Sequence, residues 1–156
     1  MLEIERLSWL RLRYAVRDDR GHSGTWVRRR FKEAMTGEVD GEVYELQRDN
    51  RKHFALVQSG CALVTADAGR RGRWTISAGD SVYELRRKSA WRSAMELRSG
   101  ERRIGWIRKG KAPRGKVLCE LPPELSPVAQ VFVGFVALTL WNRAAASSGA
   151  ATSGVT

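Results

Sequence analysis

Val128-Ala129-Gln130-Val131-Phe132-Val133-Gly134-Phe135-Val136-Ala137-Leu138-Thr139-Leu140-Trp141 has two polar residues in fourteen, Gln130 and Thr139. Ser126 is placed to cap a helix and Pro127 suits its first position, so the stretch predicts a helix over 127–143 that is apolar on every side. Fourteen residues span about 21 Å, short of the ~30 Å of a bilayer core, and Asn142 and Arg143 follow at once. Burying a large apolar side chain is worth about 2 kcal/mol. Leaving the nine of this segment in water would outweigh the ~5–15 kcal/mol by which a typical domain is stable. Something must surround this helix. A membrane tail anchor is the rival to a protein wrapper.

The wrapper is legible upstream. Val43-Tyr44-Glu45-Leu46-Gln47-Arg48 returns as Val82-Tyr83-Glu84-Leu85-Arg86-Arg87. The likeness continues from Phe54–Gly60 to Ala94–Gly100, and from Gly72–Ile76 to Gly115–Leu118. A period of this size marks a supersecondary unit used twice. Tyr83 and Leu85 alternate with Glu84 and Arg86, and Met95 and Leu97 with Glu96 and Arg98, the period-two pattern of half-buried strands. Breaks at Asp49-Asn50, Ser59-Gly60, Ala78-Gly79-Asp80 and Ser99-Gly100 recur about every ten residues, as in an antiparallel meander. A helix over 82–98 is the competing reading, since Glu, Leu, Arg and Met favour helices.

The expected fold is therefore mainly β: a meander or barrel of two four-strand repeats wrapped around one C-terminal hydrophobic helix. Residues 1–30 fit neither repeat and read either as further strands or as a flexible basic arm. The folded domain is expected over 31–143, and the Ala-Ser-Gly-Thr run 144–156 as a flexible tail.

Val82–Arg87, Met95-Glu96-Leu97, Ile104-Gly105-Trp106-Ile107 and Val131–Val136, covering roughly 40–143, resemble the tubby C-terminal-like superfamily, which includes LURP-one-related proteins and phospholipid scramblases. The resemblance implies a closed barrel of twelve antiparallel strands around the helix, of which eight are countable here. It also implies an association with membranes or phosphoinositides.

Charge is unevenly spread. The chain carries +11 net, from 28 Lys and Arg against 17 Asp and Glu. Residues 1–85 contribute a net of +2 and residues 117–156 a net of −1, so the span 86–116 holds +10. GC-rich coding alone would raise arginine everywhere rather than here. Arg86, Arg87, Lys88, Arg92, Arg108, Lys109, Lys111, Arg114 and Lys116 are the candidate anion- or lipid-binding residues, with Trp91 and Trp106 suited to the headgroup level. The expected partner is anionic membrane lipid. The alternatives are a protein-interaction module with a merely solvated basic face, and the tail-anchored protein. Nucleic acid is disfavoured because no recognition helix or base-stacking motif is evident.

No catalytic machinery is expected. Gly105–Lys111 matches the spacing of a phosphate-binding loop, but Ala112 stands where a Mg²⁺-binding hydroxyl belongs and Pro113 where a helix would continue. His22 and His53 stand alone, so neither metal nor cofactor is expected. Met1–Arg6 carries acids where a signal peptide needs a cationic start. This points to a cytoplasmic protein, peripheral at the membrane, with Cys61 and Cys119 as two buried thiols.

Overall fold

In the computed structural model, which describes residues 1–8, 12–29, 33–88, 94–110 and 116–153, twelve antiparallel strands close into a barrel around one helix. The strands are β1 (Leu2–Ser8), β2 (Arg13–Asp18), β3 (Ser23–Arg28), β4 (Met35–Val39), β5 (Glu42–Asn50), β6 (His53–Gln58), β7 (Cys61–Ala68), β8 (Trp74–Ala78), β9 (Ser81–Arg87), β10 (Ala94–Ser99), β11 (Arg102–Lys109) and β12 (Val117–Glu120). The order is a simple meander. It closes where Leu2 faces Cys119 and Ile4 faces Val117. Within the span 82–98, residues 82–87 and 94–98 are strand, not helix, and residues 105–109 of the loop-like motif lie in β11.

The segment 1–30, read from sequence as extra strands or an arm, contributes three strands to the wall, β1, β2 and β3. With β4 they form a third copy of the four-strand unit. The register shows it. Ile4 faces Val16 as Leu46 faces Leu56 and Leu85 faces Leu97. One layer on, Tyr14, Phe54 and Met95 face Trp26, Ala66 and Ile107, which in turn face Gly37, Ile76 and Cys119. Each unit fills this layer differently: a Cβ on Gly37 would fall 2.3 Å from the Trp26 ring, so Trp26 occupies the space its neighbour vacates.

The two ends of the barrel are built differently. The even-numbered connections are short. Asp40-Gly41 and Ser59-Gly60 turn with positive φ at both residues (53° and 84°, 51° and 80°), the twist that suits tight hairpins. The odd-numbered connections, from β1–β2 through β11–β12, leave from the opposite end; most are longer, but β5–β6 turns through Arg51-Lys52 alone.

Helix α1 (Pro127–Ser153) enters from the short-turn end. The Ser126 hydroxyl accepts the Ala129 N–H at 3.3 Å, as its sequence position foretold. Val131, Phe132, Val133, Phe135, Val136 and Ala137 are all buried against the inner wall. Phe135 packs on Tyr14 and Trp26, with ring centroids 5.5 and 5.4 Å apart. Gly134 lets Ile4 and Cys119 come close: a Cβ there would lie 2.7 and 3.2 Å from their side chains.

The helix does not stop at Arg143. It continues to Ser153, where a flexible tail was expected, because alanine is the strongest helix former and the helix ahead of it is already nucleated. Twenty-seven residues rise about 40 Å, so length no longer argues against a membrane span. Pro127–Ser147 is indeed apolar and long enough to cross a membrane, with 56% of its most apolar window buried inside the barrel. Cysteine placement also differs from expectation. Cys119 is buried, but Cys61 opens β7 beside a tight turn and is exposed.

Candidate functional site: a basic rim around the helix exit

Alternation of chain direction sorts the charges by end. In the odd-numbered connections and the strand residues flanking them, the described residues include twelve Lys and Arg and one acid, Glu33. The even-numbered connections and the segment leading into α1, with their flanking strand residues, carry Asp18, Asp19, Asp40, Glu42, Asp80, Glu101, Glu120 and Glu124 against Arg20 and Arg102. One rim is basic and the other acidic. The helix leaves through the basic one.

The residues singled out from sequence scatter within this arrangement. Arg87 and Lys88 are exposed at the end of β9. Arg108 is exposed on β11, its guanidinium 4.6 Å over the half-buried Trp106 ring. Lys109 places its ammonium 5.5 Å from the ring of Trp141 at the helix exit. Lys116 is half-buried, and its carbonyl accepts the Gly110 N–H at 2.6 Å. Arg86 is committed within the wall, its Nε 3.0 Å from Glu96 Oε1, which Arg98 also approaches at 3.2 Å. Burial pushes the Glu96 carboxyl up, but these two guanidiniums outweigh it and hold the carboxyl below its ordinary value. Arg92, Lys111, Arg114 and Trp91 lie outside the described residues.

The basic surface is thus a rim, not a face of the second repeat. Reading by span missed Arg13, Arg28, Arg29, Arg51, Lys52, Arg70, Arg71 and Arg73, which stand on the same rim. Their charge was cancelled on paper by acids such as Asp18, Asp19, Asp40 and Asp80, which the fold sends to the other end. Adding charges by alternate connections would have found them.

A latch ties the helix to this rim. Arg143 donates to Glu33 through Nε at 2.7 Å and to the Arg51 carbonyl at 2.8 Å, with its guanidinium 5.1 Å over Phe54. Arg48 pairs with Glu33 Oε1, which Arg143 Nη2 also reaches at 2.8 Å. Burial would raise the Glu33 carboxyl, yet Arg143 and Arg48 together keep it below its ordinary value. A carboxyl whose pKa is depressed on folding stabilises the fold above its unfolded pKa, and that contribution disappears as pH falls through the folded value. Glu33→Gln is therefore expected to cost about 1–3 kcal/mol near pH 7. In thermal melts the gap between wild type and variant should close below about pH 4. A constant gap across that range would show that the Glu33 charge is not what matters.

Among the described residues, no group of three or more His, Cys, Asp or Glu side chains is placed to hold a metal. Compared with known proteins, the chain matches no family model, no curated protein and no solved structure.

Proposed function

We propose that this chain is a non-enzymatic barrel domain that docks end-on, basic rim first, on an anionic membrane surface, as a peripheral protein of the cytoplasm. The observation that carries the reading is the sorting of charge to opposite ends of a closed barrel. Each Lys or Arg near an anionic bilayer adds about 1 kcal/mol, and salt removes it within a Debye length of about 8 Å. A molecule basic at one end and acidic at the other is also turned by the field of the surface before it arrives. The sequence resemblance to the tubby C-terminal-like superfamily supports the same reading.

The burial of α1 in the barrel supports an enclosed helix over a tail anchor. On this reading, carbonate extraction leaves the chain in the soluble fraction.

Sedimentation with vesicles tests the docking. Binding to phosphatidylserine-containing vesicles at low salt is expected, with loss at high salt and little binding to neutral vesicles. Arg51→Glu with Lys52→Glu and Arg70→Glu should weaken it about tenfold or more, whereas Arg20→Gln with Arg102→Gln on the other rim should not. Equal binding to neutral and anionic vesicles at low salt would refute docking by charge. Partners that survive high salt in pull-downs would favour a protein-interaction module instead.

A further inference from the structure

We propose that Arg71, Arg73, Arg86 and Arg87 form a discrete binding site for a phosphate monoester dianion in the wall of the basic rim. The four guanidinium side chains line one open cavity of ≈ 350 Å³ together with Glu96. Two segments build it. The turn at Arg70–Gly72 and the residue between it and β8 supply Arg71 and Arg73, and the end of β9 supplies Arg86 and Arg87. Pairing of Trp74 with Leu85 sets Arg73 beside Arg86.

The charge at the cavity is not balanced from within. Glu96 is shared between Arg86 and Arg98. Glu84 lies 3.9 Å from Arg73 and 3.7 Å from Arg86. Arg71 and Arg87 make no ion pair among the described residues. Four guanidiniums against two carboxylates, one of them shared with Arg98 outside the cavity, leave an excess of at least two positive charges, and a phosphate monoester carries about −1.5 to −2 near pH 7. A sulfate ester or phosphodiester, with a single negative charge, leaves at least half the excess unmatched.

The chemistry of the donors points the same way. Guanidinium presents paired N–H groups that fit two phosphate oxygens at once, which an ammonium cannot do. The two carboxylates hold Arg86 and Arg73 in place before any ligand arrives, which lowers the ordering cost of binding. The cavity is lined only by charged side chains, and a closed barrel has no free strand edge for a peptide to join. A phosphorylated peptide would be held by its phosphate alone, so a small phosphate monoester, free or as a lipid headgroup, fits best.

The site is separable from end-on docking, and the experiment keeps the two apart. The full chain is titrated with glycerol 3-phosphate, methyl sulfate and dimethyl phosphate while the arginine Nε–H signals are followed by NMR. Only glycerol 3-phosphate is expected to shift Arg71 and Arg87, with affinity rising from about pH 5 to about pH 7 as the second phosphate proton is lost. Arg71→Gln with Arg87→Gln should weaken binding about tenfold or more, and Arg20→Gln with Arg102→Gln should leave it unchanged. Arg87→Lys, which keeps the charge and loses the fork, should fall between wild type and the double variant, and matching melting temperatures show that all the variants are folded.

Equal binding of methyl sulfate, or undiminished binding by the folded double variant, overturns the site. So does a phosphoserine peptide that binds about tenfold tighter than glycerol 3-phosphate. Vesicles containing phosphatidic acid, compared with phosphatidylserine vesicles of equal surface charge, then identify the source. Preference for phosphatidic acid makes the ligand a headgroup, and no preference makes it a soluble phosphate. If glycerol 3-phosphate binds and every vesicle fails, the site stands and docking falls. If vesicles bind and glycerol 3-phosphate does not, docking stands and the site falls.

Discussion

Gly24→Ala is expected to abolish the cooperative unfolding transition, or to lower stability by more than about 4 kcal/mol, a loss seen only where a specific structural device is broken. Gly24 lies in β3, where a Cβ would sit 1.6 Å from the Glu38 carbonyl oxygen and 2.6 Å from its carbon. Both are backbone atoms of a paired strand, so no side chain can rotate to make room. The same register position in the third unit is Gly105, whose Cβ would meet the Glu120 carbonyl at 2.5 Å; in the second unit it is Val64. Two of the three units therefore bring neighbouring backbones closer than any side chain allows. Gly41→Ala is the matched control. Nothing lies within 4 Å of its Cβ, and only its φ of 84° resists, a cost of about 1 kcal/mol. Thermal melts of the two variants separate crowding from backbone strain. Equal losses would show that β3 and β4 are not so closely apposed.

Phe135→Ala carries the second large effect, a loss of about 3–5 kcal/mol. Phe135 is fully buried at the middle of the apolar helix. Truncating it removes the contacts with Tyr14 and Trp26 and leaves a cavity that the closed wall cannot collapse to fill. Guanidinium unfolding in water, without lipid, should show a lower midpoint at an unchanged slope. A loss below about 1 kcal/mol would mean that the helix does not lie within the barrel in solution, as a tail anchor would require. This substitution tests the housing of the helix without reference to any ligand.

The sequence exposes the helix because hydrophobicity on all sides has few structural explanations, and it exposes the second and third units because six consecutive residues nearly repeat. The first unit escapes notice for a physical reason. Its layer holds Trp26 against Gly37, where the second holds Ala66 against Ile76 and the third Ile107 against Cys119. Volume has moved between facing strands, so the packing rule survives while residue identity is erased. Ile4, Leu46 and Leu85 keep the pattern, but a single apolar position is too little to align by eye. The basic rim was half visible. Arg87, Arg108 and Lys109 were found because no acids surround them in sequence. Arg70, Arg71 and Arg73 were not, although they lie on the same end, because proximity in a meander depends on the direction of each strand. Residues 144–153 read as a tail because small residues suit a tail as well as a helix, and only the continuous helix ahead of them decides between the two.

Closure of the wall by β1 on β12 has a bearing on how the molecule comes into being. β1 pairs with β12, on the order of a hundred residues later in the chain, and the helix that fills the lumen follows both. Until then Trp26, Phe54 and Ile76 lack the closed wall and the helix that bury them. The wall therefore cannot close until β12 is free to meet β1, and a closing contact between strands so far apart in sequence forms slowly.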